Sequence, residues 1–140
     1  LYQEAWWAKR KDEGIDGPED IPPGKSPRRS AMRLANEIGR APAIVLVCAT
    51  SKGRGAMGSV IPSVQNLLLA ATGLGLGTCY TSHVRAREQE VKELLGVPDG
   101  WAPIALITLG YLGPGERFGG GKRKPLEEVV SYEHWGQHAP

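Results

Sequence analysis

Lys122, Arg123 and Lys124 stand together between a glycine-rich loop and Pro125. Three neighbouring cations suit a phosphate, and the arginine can offer it a planar, two-pronged contact. Taken alone, the cluster is explained more economically as a solvated basic loop. Tyr80, Thr81, Ser82 and His83 form a second group, polar and placed where a long apolar stretch ends. Without further context they are a satisfied turn with a surface histidine. Gly73, Gly75 and Gly77 invite a dinucleotide reading, but that fingerprint needs G-x-G-x-x-G after a strand and opening a helix. Here the pattern is G-x-G-x-G, and it closes a helix. No Ser/His/Asp set, paired carboxylates or metal-ligand spacing stands out. His134 and His138 lie in the tail, too loosely placed for zinc. No catalytic side chain and no metal ligand is assigned.

The element that positions the polar turn is Gly58–Val84. Val60, Val64, Leu67, Leu68, Ala71 and Leu74 recur at spacings of three and four and so share a helix face. Leu69, Ala70 and Leu76 widen that face until the helix is apolar almost all round, which predicts burial in a core or between subunits. Ser59 reads as its cap and Pro62 as a first-turn proline. The glycines then release the chain, and Thr78–His83 emerges as a turn.

Around it, residues 1–13 read as a helix with one core tryptophan, from Trp6 and Trp7, and one at an interface or a ligand. Gly14–Lys25 is a turn-rich loop, either a lid or a plain connection. Ser26-Pro27 starts a second helix, with Ala31, Leu34, Ala35 and Ile38 as its stripe, ended by Gly39 and Pro42. Ala43–Ala49 is a short apolar run suited to a strand covered on both faces. Thr50–Gly58 reads as a flexible crossing. Ala86–Leu95 is a surface helix stopped by Gly96 and Pro98, and Trp101–Tyr111 is a second strand. Gly113–Gly121 is a glycine-rich loop, order resumes at Pro125–Val130, and the last ten residues form a tail carrying Trp135. Two strands are too few to bury both their faces, so the remaining strands are expected from a missing segment, a partner subunit, or both.

A chain of 140 residues is one domain's worth and can bury a real core. Its 41% hydrophobic and 23% charged content is ordinary for a globular domain. A net charge of +2 is too mild to argue for nucleic acid. No apolar run is long enough to span a bilayer, because Gln65 and Asn66 interrupt the longest. Cys48 and Cys79 read as buried free thiols of a cytoplasmic protein.

Four segments, in order, resemble the nitroreductase family: S-V-Q-N-L-L-L-A-A-T-G-L-G-L-G-T-C-Y, V-K-E-L-L-G-V-P, P-I-A-L-I-T-L-G-Y and R-K-P-L-E-E-V-V. They fall within Ser63–Val130, about half the chain. The resemblance implies an α+β fold, a mixed sheet flanked by helices, in an intertwined homodimer with FMN at the subunit interface. It implies that Tyr80, Thr81, Ser82 and His83 lie along the isoalloxazine, backbone N–H groups toward N5. Arg123, two before Pro125, becomes a phosphate ligand with Lys122 beside it. The basic residue often found four before the proline is here Gly121.

The family's opening R-x-S-x-R and A-P-S-x-x-N patterns are absent, and the chain starts at Leu1. Residues 1–140 are therefore expected to be a single nitroreductase-like domain lacking its N-terminal part. The implied activity is an NADH- or NADPH-dependent flavin oxidoreductase acting on a small nitroaromatic or quinone-like acceptor. The alternative is a flavin-binding or degenerate protein of the same fold without turnover. Neither a membrane nor a nucleic-acid partner is expected.

Overall fold

The computed structural model describes residues 1–24, 26–51, 53–119 and 121–138, with Arg54 placed by its backbone alone. Lys25, Lys52 and Gly120, expected in loops, and Ala139 and Pro140, expected in the tail, lie outside these residues. In chain order come α1 (Tyr2–Asp12), α2 (Pro27–Glu37), β1 (Ala43–Ala49), α3 (Arg54–Gly73), β2 (Leu76–Thr81), α4 (Glu88–Leu95) and β3 (Ala102–Tyr111). Short 3-10 turns precede α4 at His83–Arg87 and follow Pro125 at Leu126–Glu128.

The sheet is antiparallel with β3 at its centre, in the order β1-β3-β2. Val45 stands opposite Ile107, and Thr81 opposite Leu106. The register shifts between Val47 and Cys48. Among the described residues three strands are present where the sequence predicts two, and the third comes from this chain itself rather than from a missing segment or a partner. The additional strand, β2, begins inside the stretch that reads as helix and contains most of the expected turn. Its sequence, LGTCYT, has no apolar run of its own and becomes a strand by pairing with β3. β1 is also corrected: it lies at a sheet edge and is only partly buried, not covered on both faces.

α3 starts earlier than expected, at Arg54, so Thr50–Gly58 is not wholly a flexible crossing. Ser59 is not its cap, and Pro62 lies in the helix interior. The cap-then-proline pattern misleads here because Gly55, Ala56, Met57 and Gly58 carry no stop signal strong enough to prevent another turn. One face behaves as predicted. Val64 packs with Ala105 and Ile107 of β3, joined by Val60, Leu67, Leu68, Val45 and Val47. The other face is open within one chain, with Leu69 60% exposed, and Leu74, expected on the buried face, lies just past the end of the helix and is 76% exposed.

The opposite sheet face carries Ile44, Leu46 and Leu106, which look into a cavity of about 280 Å3 beneath α1 and α4. Beside it, α1 and α2 build a separate small core from Trp6, Ile15, Ile21, Met32 and Ala35. Ser26 caps α2 as expected, its Oγ accepting from the Arg29 N–H at 3.2 Å. Residues 14–24 are a connection rather than a lid. Ile15 and Ile21 are buried in that core, and the Arg29 guanidinium donates to the Ile21 carbonyl at 2.9 Å. Gly96 adopts the left-handed conformation that ends α4.

Candidate functional site

The polar group at Tyr80–His83 sits where β2 ends and the next turn begins. Strand alternation divides its side chains. Tyr80, opposite Ile107, lies on the α3 side and is half-exposed. Thr81, opposite Leu106, points toward α1 and is 7% exposed. Ser82 is exposed and leads into the 3-10 turn.

A buried hydroxyl needs partners, and Thr81 finds two. Its Oγ1 lies 2.8 Å from the Tyr2 hydroxyl and accepts, at a long 3.4 Å, from the His83 N–H. The Tyr2 and His83 rings meet edge to face with centroids 5.9 Å apart. Burial raises the Tyr2 pKa against the opposing effect of the Thr81 hydrogen bond, so the phenol stays neutral. Burial also lowers the His83 pKa, reinforced by the positive charges of Lys9 and Arg10. No sequence signal singles out Tyr2, because its partner lies 79 positions away.

The basic cluster lies elsewhere, in an exposed C-terminal segment. Arg123 donates to the Gly121 carbonyl at 3.4 Å, and Lys124 lies 3.9 Å from Glu128. Among the described residues no carboxylate pairs with Lys122 or Arg123. No hydrogen bond or ion pair among the described residues ties Lys122 or Arg123 to Tyr80–His83. One chain thus brings Tyr80, Thr81, Ser82 and His83 together, without Lys122 and Arg123.

Trp6 is the core tryptophan at 1% exposure, and Trp7 donates from Nε1 to the Asn36 side chain at 3.2 Å. Cys48 and Cys79 are free; Cys48 is partly buried and Cys79 exposed, correcting the expectation that both are buried. Burial raises the Cys48 pKa, partly offset by Lys92. No helix among the described residues is long and apolar enough to cross a membrane.

A Cr(VI) reductase of Pseudomonas sp. strain G-1 is 33% identical over 66 residues, 47% of this chain and 26% of that protein. Among solved structures, a candidate NADH dehydrogenase/NAD(P)H nitroreductase of Parabacteroides distasonis superposes with a TM-score of 0.62. It is 24% identical, and the match covers 72% of this chain and 61% of that one. A nitroreductase with bound FMN from Bacteroides fragilis superposes with a TM-score of 0.59 at 22% identity, over 79% and 63% of the two chains. The chain spans less than two-thirds of each of these relatives. The structures share its helices around a small antiparallel sheet. The sequence model of the Nitroreductase family matches residues 7–111, three-quarters of the chain, and on that ground the chain belongs to the nitroreductase family.

Proposed function

We propose that this chain forms the flavin-facing part of an FMN-dependent oxidoreductase. It would take electrons from NADH or NADPH and deliver them to a nitroaromatic or quinone-like acceptor, as a homodimer. The observation that carries this reading is the Tyr80–His83 turn, held at the end of a sheet strand beside an incompletely covered apolar helix. Membership of the family and the FMN-bound Bacteroides fragilis relative support it.

The residues present fit such a cofactor in two parts. Tyr80–His83 offers a rigid stretch of backbone beside exposed Ser82, and Lys122 and Arg123 offer two cations free of carboxylate partners among the described residues. Bound FMN would supply the N5 position that accepts a hydride and stores two electrons. This chain's part is to orient and stabilise. A backbone N–H of the turn other than that of His83, which is turned to Thr81 Oγ1, would face developing negative charge on the ring, at little reorganisation cost because the turn is already held. Arg123 and Lys122 would grip the phosphate, reached across the subunit interface. No acid, base or nucleophile is required of a side chain.

The second reading is a flavin-binding protein of this fold without turnover, in which Lys122 and Arg123 would hold the phosphate alike. Anaerobic addition of NADPH to the FMN-loaded chain separates the two. Loss of the visible flavin absorbance supports the oxidoreductase, whereas flavin that binds and stays oxidised supports the binding protein. Arg123→Ala is expected to weaken FMN binding about tenfold or more, the size of a charge-assisted phosphate contact. Unchanged affinity in that variant would reduce the cluster to a solvated loop.

A further inference from the structure

We propose that Tyr2, in the first turn of α1, is a positioning residue that sets the geometry of the Thr81–His83 turn for the flavin. This inference rests on the flavin reading above and adds a residue to it.

Three contacts converge on this turn. The Tyr2 hydroxyl and Thr81 Oγ1 are 2.8 Å apart, the His83 N–H turns back to the same oxygen at 3.4 Å, and the two rings meet at 88°. A threonine hydroxyl has two acceptor lone pairs and one proton. The His83 N–H takes one lone pair, and Tyr2 engages the same oxygen from the other side. Bonding of the amide two residues on to a threonine oxygen fixes the intervening peptide plane. That plane joins Ser82 to His83. Tyr2 therefore acts on the turn proposed to lie along the ring, although it belongs to another element. Both residues line the same cavity.

Tyr2→Phe keeps the edge-to-face ring contact and removes only the hydroxyl. Thr81→Val removes the other partner at nearly constant shape. Two measurements are made on each variant, on the double variant and on the parent chain: amide hydrogen exchange at Ser82 and His83 without flavin, and FMN affinity by fluorescence titration. Each single variant is expected to exchange faster at these amides and to bind FMN about fivefold more weakly, the effect of one neutral hydrogen bond. The double variant is expected to be no worse than either single one, because the two hydroxyls act as a unit. Unchanged exchange would show that Tyr2 does not hold the turn, and faster exchange with unchanged FMN affinity would show that holding it does not serve the flavin. Either result overturns the proposal. If the parent chain binds no FMN while exchange responds as expected, the flavin reading fails and the structural tie survives alone.

Discussion

His83 is harder to protonate in the folded chain than in the unfolded one, because burial and the charges of Lys9 and Arg10 lower its pKa. The sign of the linkage follows. As pH falls below the ordinary histidine value of 6.5, the unfolded chain takes up the proton first, so stability drops until the folded pKa is passed. His83→Gln is expected to flatten the dependence of Tm on pH between about pH 5 and 7. A slope unchanged by the substitution would mean that other groups set it. In the small core, Trp6→Ala is expected to cost about 3–5 kcal/mol by urea denaturation, since the indole is almost fully enclosed. The sequence places one tryptophan of the pair in a core but cannot choose between them. The choice depends on where α2 lands.

At the scale of elements, α3 carries an internal liability. Pro62 cannot donate a backbone hydrogen bond in the helix interior, so Pro62→Ala is expected to stabilise the chain by about 1–3 kcal/mol. Gly96 stands at φ +64°, and the space that a methyl group would enter there is open. Gly96→Ala should therefore cost about 1 kcal/mol through backbone strain alone. Urea denaturation at fixed protein concentration checks both. Local signals are reliable where the cause is local: Ser26 and Pro27 at the start of α2, Gly96 at the end of α4, and the periodic face from Val60 to Ala71. They fail where the cause is distant. β2 exists because β3 offers it a ladder, so the sequence locates the polar turn correctly while giving its first residues the wrong conformation. The grouping of Tyr80–His83 is legible from the end of the apolar stretch, but the fastening by Tyr2 is not.

The whole molecule exposes 10149 Å2. A compact chain of 15.1 kDa would expose about 7,100 Å2. The excess of about 3,000 Å2 comes with exposed apolar residues on α3, just past its end and along the C-terminal segment, including Leu69, Leu74, Leu126 and Trp135. Covering surface of that extent is what a large obligate interface does, and the excess supports the homodimer proposed above. Leu69→Asp combined with Leu74→Asp is expected to shift sedimentation from dimer to monomer. A parent chain that sediments as a monomer at all concentrations would remove the dimer from the proposal.

The position of β1 gives that pairing a further consequence. AIVLVCA is uncharged, contains no proline, and runs along an edge of the sheet. Such a segment templates growth onto other chains unless it is covered soon after synthesis. Were the proposed pairing to cover this edge, an unpaired subunit would be a hazard to its own solubility, and assembly would compete with aggregation for the same newly folded molecules. The variant that cannot pair should turn turbid faster than the parent on warming, even where its helices and sheet are intact.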